Sequence, residues 1–315
     1  MAKKKTCYSG IGGQAVLEGI MMKNKKEYAV AVRKPDGEIA VSRSEYEGIL
    51  KGNIIMKIPF LRGFFVFLDS MILGIRSLNF SASFYDEEVA ESNGEEKQKD
   101  TDNLLMGLTT IIAILFAIAV FMVLPYFASG FLATWIRNDS LLALIEGVIR
   151  VVIFIAYVAL ISLMPDIRRT YQYHGAEHKC INCIETGHEL TVKNVMRSSR
   201  FHKRCGTSFL MYVMLISILL FLFIRVDTVW LKVLLRVLLI PVIAGISYEL
   251  ISFAGKHDNW LTNGFSQVGL WVQGLTTKEP TEDMVEVAIR AVEEVYDWKA
   301  YLQEHFAMPA EQKEA

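Results

Sequence analysis

Four long apolar runs constrain the fold of this chain more than any other feature. They cover residues 104–135, 141–164, 208–224 and 230–253. A helix of roughly 20 residues crosses the hydrocarbon core of a bilayer, so each run is long enough to span it, the third only just. Apolar residues make up 52% of the chain, which is more than a soluble domain usually carries. The sequence therefore predicts an α-helical integral membrane protein with about four transmembrane helices, paired within 104–164 and 208–253.

The charges between these runs predict the orientation of the helices. The middle connection, residues 165–207, carries eight Lys or Arg residues, whereas the two short connections carry one each. Connections rich in Lys and Arg stay in the cytoplasm. We therefore expect a multi-pass protein of the cell inner membrane, with the lipid bilayer as its partner. Both termini and the middle connection should be cytoplasmic.

The N-terminal region, residues 1–53, predicts a small cytosolic β-hairpin. Two β-prone runs, 28–33 and 38–43, flank the turn sequence Pro35-Asp36-Gly37. Residues 1–13 have a basic start but no apolar core after it, so we expect no signal peptide.

The next segment, residues 54–80, is apolar but contains Arg62, Asp69 and Arg76. Residues seven positions apart share one face of a helix. Such a pattern predicts an amphipathic helix at the membrane interface, or a re-entrant helix that faces a protein cavity.

Two further soluble segments are expected. Residues 86–102 hold many acidic and few apolar side chains, a composition typical of a disordered linker. The C-terminal segment, residues 254–315, should contain an amphipathic cytosolic helix. Thr281 followed by Glu282 and Asp283 is a typical helix start, and apolar residues then recur at helical spacing.

The middle connection concentrates residues that bind metals. Four of the six histidines and three of the four cysteines fall within residues 174–205. His174 and His178 lie one helical turn apart, so both imidazoles can reach one ion. With Glu177 they form H-x-x-E-H, the inverted form of a metalloprotease motif in which the glutamate is the general base. We therefore predict a divalent metal, first of all zinc, with Glu177 as the catalytic residue.

Two histidines need at least one more ligand. His202 and Cys205 are the preferred candidates, and Glu185 and Glu249 are additional ones. The basic residues nearby offer a second type of contact, because Lys179, Arg200 and Arg204 could hold a phosphate or an anionic headgroup. They could equally serve only as orientation signals.

Four other interpretations of the cluster stay open. Cys180, Cys183, His202 and Cys205 have the spacing of a closed structural zinc site. Alternatively, Cys180 and Cys183 are ordinary reduced thiols, or a redox pair. The two α-helical histidines could also act only as hydrogen-bonding groups near lipid headgroups.

Three motifs carry a resemblance to a known family. They are GGQAVLEGIMM (12–22), YHGAEHK (173–179) continuing to HKRCGTS (202–208), and GLWVQGLTTKEP (269–280). The sequence thereby resembles the YqhQ-like family of bacterial membrane proteins, which has no known function and is described as predicted metal-dependent enzymes. The resemblance implies metal-site roles for His174, Glu177, His178, His202 and Cys205. It weakens the interpretation of the cysteines as ligands of a closed structural zinc site. It also implies a role for the first motif, either as a tight turn or by presenting Gln14 and Glu18 to a substrate.

The sequence thus predicts a metal-dependent membrane enzyme, a hydrolase that acts at the cytosolic interface on a lipid or an anionic headgroup. The alternative is a membrane transporter or assembly factor with a structural metal site. The formal net charge of −1 gives no reason to expect nucleic acid as a partner.

Overall fold

A computed structural model describes residues 6–93, 99–224, 226, 228–256 and 260–306. The chain begins with an antiparallel sheet of four strands in sequential order. They are β1 (Gly12–Val16), β2 (Gly19–Asn24), β3 (Glu27–Arg33) and β4 (Ile39–Glu45). The predicted hairpin is confirmed as β3 and β4, with Gly37 in the left-handed region at φ +88° in the turn.

The first two strands were not predicted. They form a second tight hairpin, in which Val16 pairs with Gly19 across a two-residue turn. Glu18 occupies the left-handed region there, at φ +48°. A Cβ on Gly19 would lie 2.3 Å from the carbonyl oxygen of Ala31, so β2 and β3 approach closely only because this residue is glycine.

Most of the remaining described residues are helical. The helices are, in chain order, α1 (Leu61–Asn93), α2 (Lys99–Ile118), α3 (Leu124–Leu132), α4 (Asp139–Ile161), α5 (Pro165–Glu185), α6 (Val192–Arg197), α7 (Gly206–Phe221), α8 (Val229–Lys256), α9 (Trp260–Thr276), α10 (Glu282–Val295) and α11 (Trp298–Phe306). A π-helical turn, Ala119–Val123, joins α2 to α3, and a short 3₁₀ helix, Ile54–Lys57, precedes α1.

Three helical stretches are long and apolar enough to cross a membrane. They are Gly107–Leu132, Asp139–Ile161 and Leu234–Gly255, and the apolar helix α7 is shorter. Large apolar side chains on these helices are exposed, including Phe131, Leu160 and Leu238. Water is a poor solvent for so much contiguous apolar surface, which is suited to contact with lipid or with another apolar surface.

The sheet, α5 and α10 form one hydrophobic core. Ile20, Met22 and Ala29 of the sheet pack with Tyr173 of α5 and Val292 of α10 in this cluster of buried residues. The helix expected after Thr281 is observed as α10, and its apolar face is buried. The middle connection, expected as a loop, is mainly helical because the apolar residues of α5 have this core to pack against.

Helix α1 replaces the shorter helix predicted for 54–80. Of the three charges that suggested an interfacial face, Asp69 is buried. It accepts hydrogen bonds from the Tyr46 hydroxyl and the Ile49 amide, both at 2.8 Å. Arg76 lies over the Tyr46 ring. Of the segment predicted as a disordered linker, 86–102, residues 86–93 belong to α1 and residues 99–102 to α2. Residues 94–98 of that segment lie outside the described part of the chain.

A tight contact holds α5 against the chain that follows α9. The Lys278 amide donates a hydrogen bond to the Tyr171 carbonyl at 2.9 Å. A Cβ on Gly175 would lie only 2.0 Å from the Lys278 carbonyl oxygen, so no larger residue fits there without a backbone shift.

We expect Gly175→Ala to lower the free energy of unfolding by about 1–3 kcal/mol, the usual cost of overpacking. Thermal unfolding of the purified protein in detergent measures this effect. Gly274→Ala is the matched control, because a Cβ there meets nothing within 4 Å and alanine is the better helix former. Equal losses in both variants would contradict the assignment of this contact.

Candidate metal centre

Helix α5 presents its two histidines on one buried face. Pro165 occupies the first turn, where its missing N–H costs nothing, and Asp166 adds a favourable charge there. His174 and His178 follow one turn apart, with ring centroids separated by 4.4 Å. The spacing seen in the sequence therefore places both imidazoles side by side.

Cys205 reaches the same point from the residue that precedes α7. Its Sγ lies 3.1 Å from His174 Nε2. One ligand atom each from His174, His178 and Cys205 all lie within 4.8 Å of one another. Within the described residues these three form the group able to share a metal ion.

Backbone carbonyls fix the orientation of both imidazoles. His174 Nδ1 lies 2.9 Å from the Thr276 carbonyl oxygen, and His178 Nδ1 lies 2.7 Å from the Arg200 carbonyl oxygen. A carbonyl only accepts hydrogen bonds, so each Nδ1 carries the hydrogen. Nε2 is therefore the atom of each ring that can bind a metal when the imidazole is neutral, and this is how proteins orient metal-binding histidines.

Glu177 is the third functional side chain of α5. It is buried, and its Oε2 has no hydrogen-bond partner. A backbone hydrogen bond from Gly13 of β1 reaches the carboxylate. A Cβ on Gly13 would lie 3.1 Å from Glu177 Cγ, so this glycine allows the strand to approach. An orphaned buried carboxylate oxygen is costly unless a water molecule or a cation satisfies it.

Burial and charge shift the pKa values in the cluster. Burial raises the pKa of Glu177, although the neighbouring His178 and His174 oppose the shift. Burial would also raise the pKa of Cys205, but His174 and His178 outweigh it and hold that pKa well below its usual value. Burial works against a charged His174, but the negative Cys205 raises the pKa of His174 to about 9. The site thus favours a thiolate beside positive charge, the form in which cysteine binds metals.

The structure places His202 next to this group and not within it. Its ring centroid is 5.7 Å from that of His178. Its backbone amide donates to Gln273 Oε1 at 3.0 Å, and its Nε2 lies 3.5 Å from a Glu185 carboxylate oxygen. Of the two preferred further ligands, His202 and Cys205, the structure brings Cys205 together with His174 and His178.

The two carboxylates considered as extra ligands have other partners. Glu185 accepts hydrogen bonds from the Ser9 amide at 2.9 Å and from Arg204 at 2.5 Å. Burial opposes ionisation, but the His202 hydrogen bond and the Arg204 charge lower the pKa of Glu185 to about 2. Glu249 forms a two-pronged ion pair with Arg62, at 2.6 and 2.5 Å. Glu185 thus links α5 to the N-terminal segment, and Glu249 links α8 to α1.

Two of the four candidate substrate-binding residues, Lys179 and Glu18, have other partners in the structure. Lys179 is buried and donates to the carbonyls of Met196 and Ser198, each at 2.9 Å. It therefore stabilises the backbone at the end of α6, shortly before His202. Glu18 pairs with Arg169 and accepts a hydrogen bond from Tyr173 at 3.2 Å. These contacts give Lys179 and Glu18 structural roles.

Gln14 and Arg204 remain at the site. Both line a cavity of about 730 Å³ onto which His174, Glu177 and Cys205 also open. The Gln14 amide donates to the Ser70 carbonyl at 3.1 Å. Arg204 lies 4.0 Å from the centroid of the Tyr8 ring.

The cysteine alternatives are not favoured by the geometry. Cys180 and Cys183 lie in the hydrophobic core beside Ile184 and are not among the grouped ligands. Burial raises the pKa of Cys180 well above its usual value, which disfavours the thiolate that a metal or a redox reaction needs.

Sequence reasoning missed the residues that support the centre from α9. Thr276 supplies the carbonyl that orients His174. The side-chain amide of Gln273 accepts from the His202 N–H through its oxygen and donates to the His202 carbonyl through its nitrogen. Both belong to the third motif, 269–280, for which the sequence alone predicts no specific role. The motif itself was the available signal.

Comparison with known proteins agrees with the motif resemblance. The profile of a family described as a protein of unknown function (DUF1385) matches residues 58–298. The uncharacterized protein YqhQ of Bacillus subtilis (strain 168) is 37% identical over 290 residues, which are 90% of this chain and 91% of that protein. No solved structure matches the chain. The chain therefore belongs to the YqhQ-like DUF1385 family.

Proposed function

We propose that the protein is a metal-dependent hydrolase that works at the cytosolic surface of the inner membrane. The observation that carries the proposal is the convergence of His174, His178 and Cys205, with their ligand atoms within 4.8 Å of one another. Beside them, Glu177 has one buried oxygen without a partner. A structural cluster would not need that unsatisfied carboxylate.

The three ligand residues suit zinc. Imidazole nitrogens and a thiolate are its usual ligands, and catalytic sites combine three protein ligands with one open position. When bound, the ion would supply positive charge that acidifies water and polarises a substrate oxygen. The fixed Nε2 orientation of both histidines and the lowered pKa of Cys205 prepare the protein side of that site.

Glu177 would move the proton in this proposal. Its position between the two histidines of H-x-x-E-H and its raised pKa suit a group that accepts a proton from water and later releases it to a leaving group. The Gly13 hydrogen bond would hold the carboxylate in place while its second oxygen stays available.

We also propose four crossings with both termini in the cytoplasm, in which the short helix α7 is the third crossing in chain order. Residues from the α3–α4 and α7–α8 connections line one cavity, among them Ala133 and Val226, so the two connections lie at the same end. The basic middle connection, with its eight Lys or Arg residues, carries the metal centre at the other end. That distribution of charge favours a cytosolic centre.

The rival function is a transporter or assembly factor with a structural metal. Structural zinc sites are closed by four protein ligands. Within the part of the chain that the structure describes, three residues share the site, which favours the open, catalytic type.

Metal analysis tests the proposal directly. We expect about one zinc ion per chain in the wild type, the content of a single mononuclear site. The double variant His174→Ala, His178→Ala should lose it, because one thiolate alone cannot hold the ion. Elemental analysis of protein purified without added metal gives the ratio.

His188→Ala is the matched control, because His188 lies just after α5 and interacts with Thr186 outside the cluster. It should keep the metal. Full retention of metal by the double variant would refute the proposed centre.

A further inference from the structure

The cavity beside the metal centre is lined by two kinds of residue. It is lined by Glu177 and Cys205, which are buried, and by His174, which is half-buried. It is also lined by Met71 and Ile75 of α1, which are 49% and 55% exposed. The cavity therefore connects a buried reactive cluster with an exposed apolar surface.

The walls of the cavity are mainly apolar. Val66 and Phe67 of α1, Phe209 and Leu210 at the start of α7, and Ile251 of α8 line them. Polar side chains, such as those of Gln14, Ser70 and Thr207, also line the cavity. The volume, about 730 Å³, falls within the range of ligand pockets.

Exposed apolar residues at the rim of the cavity are suited to contact with the bilayer. Leu78 and Leu210 are 50% and 42% exposed, and both line the cavity. Helices α7 and α8, which also contribute lining residues, belong to the apolar helices proposed to cross the membrane. A water-soluble substrate would gain nothing from such an entrance, whereas an acyl chain could enter it without meeting water.

We propose that the cavity binds the acyl chain of a membrane lipid and places its acyl carbonyl at the metal centre. This inference rests on the proposed hydrolase function and names its substrate class. Water adds its oxygen to the acyl carbon, and Glu177 accepts the proton. The bond to the alcohol or amine breaks, that group takes the proton, and the products are a free fatty acid and a lipid with one acyl chain fewer.

Photo-crosslinking tests the binding step separately from the chemistry. The full-length protein is reconstituted in phosphatidylglycerol vesicles that contain a phosphatidylcholine with a diazirine at the end of one acyl chain. After irradiation, mass spectrometry maps the labelled residues. We expect label on cavity residues such as Val66, Phe67 and Phe209, in addition to the membrane-facing surface.

Cavity-filling variants make the test specific. Val66→Trp should reduce the cavity label several-fold, and Leu210→Trp, at the rim, is a second variant should the first fail to fold. Leu61→Trp is the matched control, because Leu61 is an exposed apolar residue of the same helix that does not line the cavity. Its cavity label should stay unchanged, and thermal unfolding confirms that each variant is folded.

The outcomes separate the two proposals. Label confined to the membrane-facing surface, or cavity label that Val66→Trp and Leu210→Trp leave unchanged, overturns the acyl-chain site while the hydrolase could still act on another substrate. Cavity label that falls in both variants supports the site. The variant Glu177→Gln should keep that label, since the carboxylate is not needed for the chain to bind.

Discussion

Glu177→Gln should reduce hydrolysis by about 10²–10⁴-fold, the usual contribution of a general base. Glutamine keeps the size of the side chain and can still accept the Gly13 hydrogen bond, but it cannot take a proton. The metal content should stay at the wild-type value, because Glu177 is outside the group of three ligands. Hydrolysis of a fluorogenic long-chain acyl ester in detergent micelles, together with elemental analysis, measures both quantities.

Glu189→Gln is the control for this variant, because Glu189 is an exposed glutamate shortly after α5 and should be replaceable without loss. Two results would contradict the role of Glu177. If the glutamine variant loses the metal, the carboxylate is a ligand. If it retains both metal and wild-type turnover, another group accepts the proton.

Local spacing explains why the core of this site could be predicted from the sequence. His174, Glu177 and His178 lie within five consecutive residues, so a single helical turn fixes their relative positions. Cys205 was among the expected ligands for a different reason, namely the clustering of histidines and cysteines and the motif that contains it.

The long-range contacts could not be predicted in this way. His202 and Cys205 are three residues apart, and the sequence alone does not indicate that Gln273 holds the backbone of His202. Glu185 similarly anchors Ser9, 176 positions earlier in the chain. Such pairings depend on how helices and strands pack, and no periodicity in the sequence encodes them.

The β1–β2 hairpin was missed because its residues do not alternate. Ile20, Met21 and Met22 are consecutive apolar residues, and each of them is buried. One side of this strand packs with α5 and α10, while Met21 packs with Leu73 of α1. A strand covered on both faces has lost the two-residue period that identifies a half-exposed strand.

The charges within the apolar runs were visible in the sequence, but their partners were not. Glu146 and Arg150 are four residues apart on α4 and form an ion pair of 2.8 Å. Arg236 of α8 adds two hydrogen bonds to the same carboxylate, at 2.7 and 2.8 Å. All three side chains are buried, so one carboxylate balances two guanidinium groups in an apolar setting.

Neighbouring groups complete this buried network. The Arg150 Nε donates to the Phe121 carbonyl at 3.1 Å, within the π-helical turn between α2 and α3. The aromatic ring of Phe221 lies 5.4 Å from the Arg150 guanidinium carbon and 5.0 Å from that of Arg236. The network therefore joins α4, α7 and α8 with the π-helical turn.

We expect Glu146→Gln to lower the free energy of unfolding by about 3–5 kcal/mol, because it leaves two buried arginines without their counter-charge. Reversible unfolding in mixed micelles, followed by far-UV circular dichroism, measures the loss. Asp139→Asn is the matched control: this exposed carboxylate lies in the first turn of the same helix, where its charge is worth about 0.3–1 kcal/mol.

A triple variant separates the cost of an unpaired charge from the value of the network. In Glu146→Leu, Arg150→Met, Arg236→Met no charge remains to be paired, and replacing a buried ion pair by apolar residues is often neutral or stabilising. We therefore expect the triple variant to recover most of the stability that Glu146→Gln loses. If Glu146→Gln is as stable as Asp139→Asn, the network does not hold these helices together. If the triple variant is less stable than Glu146→Gln, the ion pairs themselves stabilise the fold beyond the balance of charge.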